Sequence, residues 1–337
     1  MTPDENRLAQ HWFIGCDSAQ VGKRPLGMTV LGTPLVIYRS SDGMVVAEDR
    51  CPHRNAPLSQ GFVQAGVLRC PYHGWGFGVD GRCVDAPGVC SGDLPNVSLN
   101  RWQVQESDGW IWVAKSKEIS KKSYYRPAIA KESNYRGFNM VAELDSNLAD
   151  AVENLLDGTH TPFVHSGLVR SSNAKQSFTA LVRRHDEFVE AEYRGEAKQN
   201  GFISKWFEPD REVSFGRFVP PCTAELEYRS KRRIELKVVT HFTPTTAGKL
   251  KVFVRCYLPH GRLRASWRYA VVKPFFRKIL HQDGAILKLQ QWNIARFGKQ
   301  GYTNWRADLL RPWIDAWLAN GEFPAQPEGP VEVPFHL

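Results

Sequence analysis

Two short segments, Cys51-Pro52-His53 and Cys70-Pro71-Tyr72-His73, restrict this 337-residue chain more than anything else in it. Each supplies one thiolate and one imidazole, and 16 residues separate His53 from Cys70. Segments this short form tight loops, and two facing loops can clasp an inorganic centre between them. Two Cys and two His suit a single tetrahedral zinc ion. They equally suit a [2Fe–2S] cluster with two Cys on one iron and two His on the other. Zinc fingers usually pair Cys with Cys and His with His in their half-motifs, whereas here each half mixes the types. The mixing, together with the flanking Pro71-Tyr72-His73-Gly74-Trp75, favours the cluster. The remaining cysteines (Cys16, Cys83, Cys90, Cys222 and Cys256) lack such partners and read as core or surface thiols.

The surrounding pattern predicts two domains, an all-β one over residues 1–116 and a larger one over residues 117–337. Short apolar runs such as Met28-Thr29-Val30-Leu31 and Trp110-Ile111-Trp112-Val113 alternate with turn signals such as Ser41-Asp42-Gly43 and Asp80-Gly81. The polar stretch 115–126 reads as a linker. Beyond it a helix is expected over 146–159, capped by Ser146 or Asn147. Alternating segments over 178–193 and 224–258 predict antiparallel strands. Helical zones are expected over 274–297 and 305–318, the last stopping before Asn320-Gly321. The fold class is α+β.

A second constellation, Glu153-Asn154-Leu155-Leu156-Asp157-Gly158-Thr159-His160-Thr161-Pro162-Phe163-Val164-His165, opens the larger domain. Residues five apart on an intact helix point roughly 140° away from each other, so His160 and His165 would diverge. Gly158 and Pro162 flank His160 and interrupt the helix, which lets both rings turn toward one point. Asn154, Asp157 and His160 follow at i, i+3 and i+6 and are expected on one face. There Asp157 can accept the ring N–H that His160 does not use for a metal.

These motifs, in this order, resemble the Rieske non-haem iron oxygenases, and specifically the oxygenase components of the vanillate and dicamba demethylase branch. The resemblance covers nearly the whole chain. It implies a Rieske cluster on Cys51, His53, Cys70 and His73, and a mononuclear iron(II) held by His160, His165 and a downstream Asp. Asp283, in Gln282-Asp283-Gly284-Ala285-Ile286-Leu287, fits the downstream place; a plain helix N-cap is its bland reading. Asp308 and Asp315, on the last helix, read as solvent-facing. The resemblance further implies a C-terminal helix-grip (START-like) domain and a head-to-tail homotrimer. In that trimer Asp157 bridges the cluster of one subunit to the iron of the next, and Asn154 belongs to the same catalytic run. Electrons would come from NAD(P)H through a reductase or ferredoxin. The substrate would be a small aromatic or hydrophobic molecule, hydroxylated or oxidatively demethylated with dioxygen. Two rivals are a cis-dihydroxylating dioxygenase and a non-catalytic Rieske carrier fused to a ligand-binding module.

Composition removes other classes. The net charge is +9, but the Lys and Arg are scattered without a nucleic-acid-reading motif, so the basic balance reads first as a soluble surface with no charged partner and, more sharply, as a surface for docking an acidic electron-transfer protein. No apolar run is long enough to span a bilayer, and residues 1–10 lack a secretory h-region. Seven cysteines, an odd number without a disulfide framework, point to a reducing compartment, and a cytoplasmic location is expected. Trp206, Phe207, Phe215 and Phe218 are candidates for either a substrate cavity or simple core.

Overall fold

Alternating apolar residues and glycine-marked turns build the N-terminal strands of the chain, seen in a computed structural model. It describes residues 7–88, 93–115, 124–166, 168, 177–195, 211–259, 265–298, 301–326 and 329–336. Two units separate: Met1–Tyr124 with Thr245–Ala247, and Tyr125–Pro244 with Gly248–Leu337. In the first, β1 (Phe13–Asp17), β2 (Leu26–Val30), β3 (Thr33–Ser40) and β4 (Gly43–Glu48) precede a second set of strands. That set is β5 (Phe62–Gln64), β6 (Val67–Arg69), β7 (Gly76–Phe77), β8 (Cys83–Asp85), β9 (Arg101–Ser107) and β10 (Trp110–Ala114). They form a six-stranded sheet, β1-β10-β9-β4-β3-β2, and a small four-stranded one, β5-β6-β7-β8. Between β5 and β6 the turn Ala65-Gly66 has φ of 49° and 78°, the left-handed pair that matches strand twist in a tight hairpin.

The second unit is one eight-stranded antiparallel sheet with helices against it. Its strands are β11 (Tyr135–Asp145), β12 (Ser177–Arg184), β13 (Val189–Arg194), β14 (Val213–Val219), β15 (Thr223–Arg229), β16 (Ile234–Pro244), β17 (Lys249–Pro259) and β18 (Val331–His336). Their order is β11-β17-β16-β15-β14-β13-β12-β18. The helices are α1 (Leu148–Leu156), α2 (Thr161–Val164), α3 (Ala265–Phe297) and α4 (Arg311–Asn320). The period-2 alternation of β15 and β16 sorts their side chains. Leu226, Tyr228, Leu236, Val238 and Thr240 line a cavity on the helix side.

The opposite face carries buried charge arranged by register. Glu190 stands opposite Arg217, Arg217 opposite Glu225, and Glu227 opposite Lys237. Lys237 Nζ lies 2.8 Å from Glu225 and 3.0 Å from Glu227, and Tyr125 Oη donates to Glu225 at 2.7 Å. Burial opposes ionisation of Glu227, yet Lys237 and Arg217 hold its carboxyl down to about 2. Cross-strand pairs of opposite sign are what let these charges stay buried.

Three helix boundaries differ from the sequence expectation. α1 is capped by Asn147, whose side chain accepts from Asp150 N, and it stops at Leu156 because Asp157 is already extended (φ −77°, ψ 120°). Asn154, Asp157 and His160 therefore do not share a helical face. α3 starts at Ala265 and runs through Pro274, which costs one hydrogen bond rather than the helix. α4 starts only at Arg311, with Pro312 in its first turn, and closes on Gly321 in the left-handed conformation. Asp308 therefore precedes the helix.

Candidate metal centres

The two cluster-type loops are copies of one backbone design. In residues 51–56, Cys51 N donates to Ala56 O at 2.9 Å and Asn55 N donates to Cys51 O at 2.8 Å. In residues 70–75, Cys70 N donates to Trp75 O at 2.9 Å and Gly74 N donates to Cys70 O at 3.1 Å. The fifth residue of each loop is left-handed, Asn55 at φ 59° and Gly74 at φ 73°, which suits Asn and Gly. Cys51 and Cys70 are buried, packed with Leu58, Leu68 and Phe77, whereas His73 is exposed and His53 half-buried. The two imidazoles stand side by side with centroids 4.6 Å apart. His53 stacks on Trp75 at 4.3 Å, and its Nδ1 is buried with no hydrogen-bond partner, as expected of a nitrogen that serves a metal. Burial pushes the Cys51 thiol up to about 11, so thiolate there calls for a compensating cation.

The second centre is assembled from the α1–α2 turn and α3. Asp157 caps the turn. Its carboxylate accepts from Thr159 N at 2.7 Å, Thr159 Oγ1 at 2.9 Å and His160 N at 3.2 Å. His160 precedes α2 and His165 follows it, and the short helix swings both rings inward. His160 Nε2, His165 Nε2 and Asp283 Oδ1 form a triangle with sides of 3.3, 3.4 and 2.9 Å. An ion bonding such atoms at about 2.1 Å separates them by about 3.0 Å at right angles and about 3.4 Å at tetrahedral angles. The triangle therefore has the dimensions of three ligands on one face of a metal ion. Asp283 Oδ1 is buried without a hydrogen-bond donor, which leaves a lone pair directed at the triangle. His165 Nδ1 lies 3.0 Å from Gln282 Oε1, so it donates there and leaves Nε2 as the free lone pair. His160 Nδ1 faces Asp157 Oδ2 at 3.5 Å, an approach of charge to imidazole rather than an aligned hydrogen bond. Burial works against protonation of His160, yet Asp157 and Asp283 push its pKa up to about 9. Both carboxyls, despite burial, are held below the usual carboxylate range by their His and Thr partners. In short, the centre attracts a cation.

The fold does not bring the other predicted acids to this point. Asp308 accepts from Trp305 N at 2.8 Å, and Asp315 pairs with Arg311 at 2.8 Å. Asn154 stays on α1, half-buried, one turn before the triangle. A frame behind the site gave no sequence signal. Asp150 accepts from Asn147 Nδ2, Gln291 Nε2, Tyr302 Oη and Arg311 Nη1, and Arg311 also reaches Glu153, so α1 is tied to both α3 and α4. The triangle opens into a cavity of about 760 Å³, part of it open to solvent, whose apolar walls include Leu226, Val238, Val254 and Phe276. Phe218 is core, edge-on to Trp317 and Phe323, and Phe215 lines a neighbouring hollow. Trp206, Phe207 and Cys90 lie outside the described residues.

Comparison with known proteins finds two family domains on this chain. Residues 11–98 match the Rieske [2Fe-2S] domain family, and residues 144–312 match the vanillate O-demethylase oxygenase C-terminal domain. The oxygenase component of dicamba O-demethylase from Stenotrophomonas maltophilia is 34% identical over 175 residues, 51% of this chain and 50% of that protein. The vanillate O-demethylase oxygenase subunit of Pseudomonas sp. (strain HR199 / DSM 7063) is 29% identical over 236 residues, 64% of each chain. The chain thus spans half to about two-thirds of the length of these relatives. Among solved structures, dicamba monooxygenase bound to 3,6-dichlorosalicylic acid superposes with TM-score 0.79 at 20% identity, covering 93% of this chain and 96% of that one. Pseudomonas putida CBB5 NdmA with caffeine gives 0.78 at 20% identity, covering 94% and 92%.

Proposed function

The chain belongs to the family of the vanillate O-demethylase oxygenase C-terminal domain, carried behind a Rieske [2Fe-2S] domain, and from this we propose that it is the oxygenase component of a Rieske non-haem iron monooxygenase. Cys51, His53, Cys70 and His73 would hold the cluster, and His160, His165 and Asp283 would hold iron(II). The observation that carries the proposal is the triangle of unshared lone pairs at the edge of an apolar cavity. When bound, the two metal groups supply electron transfer and dioxygen activation, with electrons drawn from NAD(P)H through a reductase or ferredoxin.

The chain's own residues position and shield. The Asp157–Thr159 turn aims His160, and Gln282 fixes the tautomer of His165. Apolar walls hold a small hydrophobic or aromatic substrate and exclude water from it. For a methyl ether the balance is one ether, one dioxygen, one NAD(P)H and one proton. These give the alcohol or phenol, formaldehyde, water and NAD(P)+. The names of the relatives, dicamba O-demethylase and vanillate O-demethylase, support demethylation. A second reading, ring dihydroxylation, is favoured by one relative, the 3-chlorobenzoate-3,4-dioxygenase oxygenase subunit of Comamonas testosteroni, 32% identical over 171 residues. Assembly as a homotrimer, with Asp157 bridging to a neighbouring subunit's cluster, and a cytoplasmic location belong to the same proposal. Among the described residues no helix is long and apolar enough to cross a membrane.

Iron and acid-labile sulfide, measured on anaerobic protein reconstituted with iron(II), test this reading. About three irons and about two sulfides per chain are expected. About two of each would favour a carrier with a ligand-binding domain, and zinc without sulfide would remove the cluster.

A further inference from the structure

An arginine precedes each of the two cluster-type loops, Arg50 before Cys51 and Arg69 before Cys70, and the fold treats them differently. Arg50 reaches Glu48 at 3.6 Å with its side chain 65% exposed. The Arg69 side chain is 21% exposed and turned toward its loop. Its Nη1 donates to Gly74 O at 3.3 Å and pairs with Asp85 on β8. Gly74 follows His73 and is the left-handed residue that closes the loop onto Cys70 O.

The Arg69–Asp85 bridge crosses a strand. Arg69 stands opposite Gly76 on β7, and Gly76 stands opposite Asp85. A Cβ at position 76 would lie 2.9 Å from Val67 Cγ1, 3.3 Å from Arg69 Nη1 and 3.3 Å from Asp85 Cβ. Glycine there leaves room for the guanidinium to pass over β7. The pair is also uneven. Asp85 is 47% exposed, so water and salt screen the carboxylate more than the cation. Arg69 is one peptide bond from Cys70, whereas Asp85 lies two strands away. Arg69 Nε is buried without a hydrogen-bond partner, a desolvation cost that a clamp built for bonding alone would avoid.

We propose that Arg69 is a positioning residue of the cluster site. It seats the 70–75 loop, and its fixed charge makes the bound cluster easier to reduce, with Asp85 moderating that charge. The potential of a [2Fe–2S] centre follows the net charge around it, and a nearby cation favours the state that holds the extra electron. The inference rests on the cluster reading, and the two fail separately. A wild-type chain without acid-labile sulfide removes the cluster reading, whereas a chain that holds the cluster but ignores Arg69 removes this one.

Redox titration of the full chain tests it, with dithionite as reductant, mediator dyes and visible absorbance as the readout. One electron from dithionite, passed through a dye, reduces one cluster. In Arg69→Gln the reduced state becomes about tenfold less favoured, which is about 59 mV for one electron. Asp85→Asn shifts the equilibrium the opposite way, by about threefold, because the charge it removes is better screened. A clamp without an electrostatic part would move both variants in one direction, since either substitution breaks the bridge. Arg69→Lys keeps the charge and stays within about twofold of wild type, while a chelator strips its cluster faster because the fork is gone. Arg50→Gln removes a charge already in water and shifts the equilibrium by less than about twofold. If Arg69→Gln holds no cluster, Asp85→Asn decides alone: easier reduction upholds the inference, and harder or unchanged reduction overturns it. Shifts of one sign in both variants, or a shift in Arg50→Gln as large as that in Arg69→Gln, would overturn it as well.

Discussion

The loops over residues 51–56 and 70–75 close on themselves through matched backbone hydrogen bonds, whereas the His160–His165–Asp283 triangle depends on helices far apart in sequence. His165 and its partner Gln282 are 117 residues apart, and Asp150 and Arg311 are 161 apart. The exposures differ in the same sense. His73 faces solvent, while His165 is 2% and Asp283 5% exposed at an apolar cavity. A ligand set made by local loops has its geometry written into a few adjacent residues. One made by packing inherits its geometry from every contact that seats the helices.

This contrast predicts where damage spreads. Asp283→Ala should abolish mononuclear iron and cut turnover by at least about a thousandfold, the scale of a metal's catalytic share. The cluster's visible spectrum should persist, and its loss as well would show that the centres are not independently built. Next, Arg311→Met leaves buried Asp150 and half-buried Glu153 without their cation, which should cost about 3–5 kcal/mol. A thermal melt followed by circular dichroism should shift down while cluster absorbance at moderate temperature stays. An unshifted melt would mean that the helices are seated by apolar packing alone.

Smaller effects sharpen the same comparison. Gln282→Leu frees the His165 tautomer and should weaken iron binding about 10- to 100-fold, read by competition with a chelator, with little change in the melt. Trp75→Leu removes the ring stacked on His53 and should cost at most about 1.5 kcal/mol, seen as a modest shift of the cluster's spectrum or potential. A larger loss of cluster would show that the loop relies on that ring as well as on its backbone.

Legibility followed the same division. The candidate ligands of the first centre stand in two motifs because each loop needs a thiol, an imidazole and a left-handed fifth residue within six positions. Gly158 signalled the break before His160, but Pro162 starts the short helix α2 between the two His instead of interrupting one, because its missing N–H is not needed in a first turn. The end of α1 at Leu156 was harder to read. An Asp157 carboxylate that accepts three donors stabilises an extended cap over one more helical turn, and no periodicity announces that. Pro274 invited a helix start that belongs at Ala265, because a single lost hydrogen bond does not end a helix held by its other contacts. Asp283 stood apart from Asp308 and Asp315 in the sequence through its Gln282-Asp283-Gly284 setting and the family resemblance, not through any periodicity. The packing of α3 separates the one that meets His160 and His165 from those that serve Trp305 N and Arg311. Arg211 was one arginine among many until the fold placed it in the cavity wall.

The four donors on Asp150 carry a further consequence, for how such a protein lives with scarce iron. One of them, Gln291, lies on α3, the helix bearing Asp283, and ties it to α1, which leads into the segment bearing the two His, while Tyr302 and Arg311 add further ties and Asn147 caps α1 itself, all by ordinary hydrogen bonds. Zinc fingers, by comparison, unfold when their metal leaves. A chain braced in this way would persist as a folded vessel with no metal at the triangle, and on the proposed reading would be refilled with iron when supply returns, without new synthesis.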